Sequence, residues 1–195
     1  DFTVIKDKNW DGVIIRETEL SYSNLESMDF AGKDLTLSIL RYAKLKGTDF
    51  SNDVILHGSF FSKADLEDAN FKGADLAPKH FKAKLFKNAA HLADLSGNEL
   101  AFELCMIGTG PTLSIYCNPY TMIITQVEVR GNDLYVTYFL FCNFSGANLE
   151  NTNFASANLQ YNVFVQTDLS NANLSGANLK NAILTDADLN AANLS

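Results

Sequence analysis

A leucine or phenylalanine recurs at every fifth residue through the last third of the chain, and this period constrains the fold more than any other feature. Ala or Thr stands two residues before most of these positions, and Asn or Asp stands one residue before. A period of five matches neither the turn of a helix nor the alternation of a simple strand. A repeat this regular predicts a solenoid of stacked coils. The repeated positions are Phe144, Leu149, Phe154, Leu159, Phe164, Leu169, Leu174, Leu179, Leu184, Leu189 and Leu194.

If each five-residue unit forms one side of a square coil, residues about 20 apart lie one above another at the strand spacing. The central Leu or Phe and the small residue two before it then point into the coil. Leu149, Leu169 and Leu189 are expected to form one interior column, and Phe144 and Phe164 are expected to stack their rings in another. The Asn or Asp before each central residue favours turns and can form ladders between coils.

The same period runs from Leu20 to Ile55, shifts by one residue near His57, and resumes from Phe61 to Phe86. A shift of one residue predicts a bulge or a widened corner. We therefore expect a single β-helix domain, with both of its ends cut from a longer protein. Its predicted parts are an N-terminal cap (1–15), a first repeat block (16–95), a non-repeat insert (96–138) and a second repeat block (139–195).

Two elements are predicted inside the insert. Ser96 and Glu99 have the spacing of a capping box, which predicts a short helix over 97–107 that ends at Gly108. The alternative counts Leu95 and Leu100 as two more repeats. The segments TMIITQVEV and LYVTYFLF, separated by RGND, predict a β-hairpin. The insert breaks the repeat and carries exposed-type aromatics, so it is the preferred contact element, although these rings could instead pack on the solenoid: Tyr116, Tyr120, Tyr135 and Tyr138.

Copies of ANL and ADL recur through both blocks, for example at 64–66, 147–149, 157–159 and 187–189. This pattern resembles the pentapeptide-repeat family, whose repeat is roughly Ala-(Asp/Asn)-Leu-X-X. The resemblance implies an all-β fold, a right-handed quadrilateral β-helix, and the handedness comes from the family alone. Such a coil offers flat faces and no deep cleft, whereas small-molecule sites and catalysis usually need a concave pocket.

Charge and composition narrow the functions further. A net charge of −8 argues against direct nucleic-acid binding, which needs clustered Lys and Arg. No apolar run reaches the length of a membrane span. The three histidines lack metal-ligand spacing, and the three cysteines do not suggest a disulfide framework. We therefore predict no catalytic, cofactor or metal site. The best acidic patch consists of Asp168, Asp186 and Asp188, of which the first and last are 20 residues apart and should stack.

The leading hypothesis is a non-enzymatic protein-interaction solenoid, bacterial in origin and cytoplasmic, or secreted into a host cell as the binding domain of an effector. Because some family members associated with quinolone resistance resemble B-DNA, the second hypothesis is a DNA mimic that binds DNA gyrase or a related topoisomerase. The third is a folded spacer beside an enzymatic domain such as a ubiquitin ligase. The sequence does not name the protein partner.

Overall fold

The computed structural model describes the backbone of residues 15–87, 122–130 and 133–195, and the side chains of 15–78 and 141–195. The chain divides into two compact units. One combines Asp1–Ala77 with Phe141–Ser195, and the other is Pro78–Leu140. The predicted N-terminal cap and the predicted helix over 97–107 lie outside the described residues, except for the last residue of the cap, Ile15, which is buried.

The first unit is a four-sided β-helix whose successive coils pair in parallel through single-residue bridges. Asn148 bridges Asp168, twenty residues on, and the Leu149 N–H donates to the Asp168 carbonyl over 2.7 Å. Four five-residue sides therefore complete each coil, as the period predicts. We number the faces 1 to 4 by their inward central residues. Face 1 has Leu20, Leu40, Phe61, Phe144, Phe164 and Leu184; face 2 has Leu25, Leu45, Leu66, Leu149, Leu169 and Leu189; face 3 has Phe30, Phe50, Phe71, Phe154, Leu174 and Leu194; face 4 has Ile15, Leu35, Leu56, Leu76, Leu159 and Leu179.

Each corner of the coil is a tight turn. The residue two places after the central one has a positive φ, in the left-handed backbone conformation, and we call it the left-handed residue of that corner. After Leu25, Ser27 has a φ of 56°, and the Met28 N–H donates back to the Leu25 carbonyl over 3.2 Å. A left-handed conformation costs a non-glycine residue roughly 1–2 kcal/mol. The Ser27 N–H compensates by donating to the Lys46 carbonyl of the next coil over 2.9 Å, so the stacking of coils stabilises each turn.

Two columns of phenylalanine fill the core from opposite faces. The predicted stack of Phe144 on Phe164 is confirmed, with ring centroids 5.0 Å apart and an interplanar angle of 5°. On face 3, Phe71 stacks on Phe154 at 4.8 Å and meets Phe144 edge to face at 5.9 Å. Such aromatic pairs contribute about 0.5–1.5 kcal/mol each beyond the area they bury.

The residue two places before the central one is most often Ala, which fills space, or a residue whose hydroxyl or thiol donates to a nearby carbonyl. The Thr48 hydroxyl donates to the Leu25 carbonyl over 3.0 Å, and the Cys142 thiol donates to the Leu56 carbonyl over 2.9 Å. A hydroxyl or thiol is tolerated in this buried position because the partner carbonyl satisfies its hydrogen.

The shift of one residue is a widened corner, as expected, but it lies earlier than His57. Asn52 and Asp53 are both left-handed, with φ values of 52° and 64°, where every other described corner has one such residue. Leu56 is consequently the inward residue, whereas Ile55, which we assigned to the repeated positions, points outward and is 38% exposed.

The insert interrupts the β-helix without changing its phase. Bridges that span it, such as Asp65 to Asn148, join residues 83 apart instead of 20, and the difference of 63 equals the length of Pro78–Leu140. The predicted boundaries at 95/96 and 138/139 therefore differ from the observed ones at 77/78 and 140/141. Residues 79–87, including the predicted repeats at Phe81 and Phe86, instead form a strand of the second unit.

The second unit contains a three-stranded antiparallel sheet. Its strands are β1 (Lys79–Lys87), β2 (Met122–Arg130) and β3 (Asp133–Leu140), in the order β1-β3-β2. β2 and β3 pair with Arg130 opposite Asp133, at the place where the sequence predicts a hairpin. The third strand is the feature that the sequence interpretation missed, because β1 continues the five-residue spacing of aromatic residues.

Candidate interaction surface

The outward residue just before each central position follows a local rule on most of the β-helix. An Asn or Asp there accepts a hydrogen bond from the N–H two residues on, as Asn153 does from Ala155 over 3.1 Å and Asp168 from Ser170 over 2.9 Å. The amides also form the predicted ladders, since Asn173 Nδ2 lies 3.4 Å from Asn153 Oδ1 and Asn193 repeats the contact one coil on. These bonds stabilise turns and rungs, so Asn or Asp is the structurally favoured choice.

Face 1 departs from this rule. Its outward residues pair rung by rung in the order Glu19, Ile39, Phe60, Asn143, Val163 and Ile183. On face 3, the equivalent residues are Asp29, Asp49, Asn70, Asn153, Asn173 and Asn193. We call Ile39, Phe60, Val163 and Ile183 the apolar row. An apolar side chain cannot accept the N–H two residues on, so each member forgoes a hydrogen bond worth about 0.5–1.5 kcal/mol.

Burial along the apolar row is uneven. Phe60 is 9% exposed, whereas Ile183 is 48% exposed. Large apolar side chains suit a parallel strand whose outer surface is covered, and a solvated surface would favour polar residues. The apolar row therefore marks face 1 as the candidate surface for contact with another molecule.

The corner between faces 1 and 2 carries a second group of side chains. The rings of Tyr22 and Tyr42 stack 4.9 Å apart with an interplanar angle of 5°. The Arg41 guanidinium lies 5.5 Å from the ring centroids of both Tyr42 and Phe60, and Lys63 Nζ lies 5.5 Å from that of Tyr42. We call Tyr22, Arg41, Tyr42, Phe60 and Lys63 the tyrosine patch. By hydrogen bonding and by its charge, Lys63 lowers the pKa of the Tyr42 phenol.

The acidic residues predicted as a patch are brought close together. Asp168 bridges Asp188 in the next coil on face 2, and Asp186 lies at the corner between faces 1 and 2, with a φ of 56°. Asp168 and Asp188 each accept a backbone N–H, from Ser170 and Asn190 respectively. Both carboxylates therefore have a structural role in their turns, which is a sufficient reason for their presence.

The tyrosines predicted as contact residues cannot be placed as a surface. Tyr116 and Tyr120 lie outside the described residues, and Tyr135 and Tyr138 belong to β3, for which the backbone alone is described. Sequence reasoning missed the apolar row and the tyrosine patch. The sequence nevertheless contains a signal for each. The apolar row stands where Asn or Asp usually precedes the central residue, and the tyrosines of the patch stand at corner positions that require a left-handed backbone conformation.

The thiol of Cys142 is not suited to nucleophilic chemistry. It is fully buried, and burial raises its pKa to about 12, so the reactive thiolate is scarce at neutral pH. Within the described residues, no group of His, Cys, Asp or Glu has the arrangement of a metal site. The same part of the chain contains no apolar helix long enough to cross a bilayer.

Comparison with known families agrees with this geometry. The family model for pentapeptide repeats matches eight copies, over residues 18–52, 53–77, 137–176 and 163–195. The chain belongs to the pentapeptide-repeat family. The matched segments leave out 78–136, which corresponds closely to the second unit. A sequence comparison with curated proteins gives no match.

Solved pentapeptide-repeat proteins resemble the chain. Rfr23 from the cyanobacterium Cyanothece 51142 is 18% identical with a TM-score of 0.51, and the alignment covers 92% of this chain and 89% of that one. HetL from Nostoc sp. strain PCC 7120, involved in heterocyst differentiation regulation, is 21% identical with a TM-score of 0.35 over 91% of this chain and 58% of that one. A trypsin-treated variant of QnrB1, a plasmid-mediated fluoroquinolone resistance protein, is 15% identical with a TM-score of 0.26 over 93% of this chain and 84% of that one. The likeness to Rfr23 agrees with the right-handed quadrilateral β-helix of this family.

Proposed function

We propose that this pentapeptide-repeat chain is a non-enzymatic protein-interaction module and that face 1 of its β-helix is the contact surface. The observation that carries the proposal is the apolar row, in which Ile39, Phe60, Val163 and Ile183 replace the Asn or Asp favoured elsewhere. Residues that break a local structural rule are expected at functional sites, and Ile183, which is 48% exposed, gains little burial in return. Solenoids of this kind supply extended binding surfaces rather than clefts.

The test converts part of the apolar row to the residue that the other faces use. Val163→Asn with Ile183→Asn should keep the fold, because Asn at this position can accept the N–H two residues on. The matched control is Asn173→Thr with Asn193→Thr on face 3, in the same two coils. Tagged wild-type and variant chains are used to capture proteins from a lysate of the source organism, with quantitative mass spectrometry.

We expect proteins enriched by the wild type to be retained by the face 3 control and lost with the face 1 variant. An unchanged set of proteins with the face 1 variant would show that the contact surface lies elsewhere. The insert tyrosines remain a separate proposal for a contact element. Tyr116→Ala with Tyr120→Ala in the same experiment tests that proposal, and unchanged capture would reject it.

The DNA-mimic hypothesis requires a continuous array of acidic side chains. On face 3 the outward residues after Asp29 and Asp49 are all Asn, which is neutral. The acidic residues Asp168, Asp186 and Asp188 cover one end of face 2 and its corner. A gyrase supercoiling assay tests this hypothesis, and no inhibition at a large excess of the chain would reject it.

A further inference from the structure

The tyrosine patch presents two aromatic rings at positions poorly suited to them. Tyr22 and Tyr42 have φ values of 61° and 54° in corners where glycine, asparagine and similar residues are favoured. Tyr22 is 62% exposed and Tyr42 36%, so Tyr22 in particular gains little of the burial that usually stabilises an aromatic side chain. Stacking at 4.9 Å holds the pair in one orientation, which reduces the conformational entropy that a binding partner would have to remove.

The cations around these rings have no acidic partner. Among the described side chains, no carboxylate lies within ion-pair distance of Arg41 or Lys63. Lys46, on the adjacent face of the same coil as Arg41, shows the contrast, because its Nζ lies 2.7 Å from Glu67 and 3.8 Å from Asp68. The chain carries a net charge of −8, yet none of the described carboxylates neutralises these two cations.

We propose that the tyrosine patch binds an acidic segment of a partner protein, with carboxylates on Arg41 and Lys63 and an apolar or aromatic side chain against Tyr22. This inference rests on the proposed interaction function and narrows it to one site and one chemistry. Tyr and Arg are among the residues enriched in binding hot spots. Charge complementarity would favour an acidic partner here, although the chain as a whole repels one.

Other anionic occupants fit less well. Nucleic acid would need a longer track of cations for its phosphates, whereas the patch holds two, Arg41 and Lys63. The two rings are already stacked on each other, so no base can enter between them. A second copy of the chain could supply acidic residues, but two chains that each carry a net charge of −8 repel each other.

The test measures the fluorescence anisotropy of a labelled peptide of alternating Glu and Tyr with the full chain. Arg41→Ala with Lys63→Ala removes the unpaired cations, and Lys46→Ala is the matched control for a neutralised cation. Tyr22→Ala tests the aromatic contact. We expect the double variant to weaken binding about tenfold or more, Tyr22→Ala to weaken it by several-fold, and Lys46→Ala to change it by less than about twofold. Binding should also weaken as the ionic strength is raised.

Several results would overturn the proposal. The first is that the wild type does not bind the peptide, and the second is that the wild type and the double variant bind it with equal affinity. The third is that a labelled oligothymidylate binds the same patch more strongly than the peptide does. Sedimentation that shows a wild-type dimer dissociated by the double substitution would assign the patch to a second copy. If the face 1 variant loses its captured proteins while the double variant keeps them, this inference alone fails. If the peptide binds the patch but face 1 captures nothing, the proposed contact surface fails instead.

Discussion

Replacing Asn162 by Ala should destabilise the β-helix at the point where the chain returns from the insert. In a regular corner, the N–H of the small residue donates to the carbonyl of the central residue three before it, as Ala147 does to Phe144 over 2.8 Å. The corresponding residue before Cys142 is Phe139, which belongs to β3. The Cys142 N–H donates instead to Asn162 Oδ1 in the next coil, over 2.9 Å.

The magnitude follows from burial. Cys142 and Asn162 are both fully buried, so removing the acceptor leaves a donor without a partner, at a cost of about 1–3 kcal/mol. Asn162 Nδ2 has no hydrogen-bond partner in the described structure, so its loss removes no further bond, and the relief of this unsatisfied donor is offset by the cavity that Ala leaves. The matched control is Thr167→Ala. Thr167 donates to the Phe144 carbonyl over 3.1 Å, and this carbonyl keeps its bond from Ala147 after the substitution.

Alkylation of Cys142 is the local assay, because the buried thiol can react when this corner opens. Peptide mass spectrometry separates Cys142 from the other two cysteines. When closing is faster than labelling, the rate follows the opening equilibrium, so Asn162→Ala should raise it about 5- to 150-fold. Urea unfolding should show the same loss of free energy. Labelling and stability of Asn162→Ala that match those of Thr167→Ala would refute the reasoning, since another acceptor would then satisfy the Cys142 N–H.

Three further predictions concern the core, the thiol and a corner. Phe71→Ala should lower the free energy of unfolding by about 3–5 kcal/mol, because its ring lies between Phe50 and Phe154 at 4.7 and 4.8 Å; a loss in urea titration no larger than that of Phe71→Leu would contradict the stacked core. Burial raises the pKa of Cys142 to about 12, whereas an unfolded thiol titrates near pH ~8.5. The contribution of the Cys142 thiol to the free energy of unfolding should therefore be constant below about pH 8.5 and should fall as the pH rises toward 12. Cys142→Ala should show a shallower fall, and identical profiles would be inconsistent with a buried thiol. Gly32 has a φ of 67° with open space around its Cα, so Gly32→Ala should cost about 1 kcal/mol and Gly32→Asn less; equal thermal midpoints for all three proteins would argue against a left-handed corner.

Much of the fold was accessible from the sequence, because the inward positions depend on local spacing alone. The Phe144 and Phe164 stack and the Asn ladders followed from residues 20 apart. The limit of the first repeat block was not accessible. Phe81 and Phe86 keep the five-residue spacing, but antiparallel pairing of β1 with β3 places residues 79–87 in a different unit. Such pairing depends on a strand more than 40 residues away, which a local period does not reveal.

The candidate surface was predicted poorly for a related reason. Counting by 20 groups Val163 with Ile183, but Ile39 and Phe60 join them through one widened corner and an insert of 63 residues. Both interruptions had to be located before the outward rows could be aligned. Tyr22 and Tyr42 are 20 apart and could have been paired from sequence, but their contacts with Arg41 and Lys63 depend on side-chain geometry.

By itself, the sequence determined that this chain coils into a four-sided β-helix, because a Leu or Phe every fifth residue can be buried only if the chain turns at that interval. The tertiary structure decided where the helix is interrupted, which outward residues share a face, and which donor each buried acceptor serves. Asn162 illustrates the difference. In the sequence it is a polar residue at an inward position where Ala or Thr usually stands. In the fold it accepts the Cys142 N–H, which lacks the carbonyl partner that the corner of a regular repeat provides.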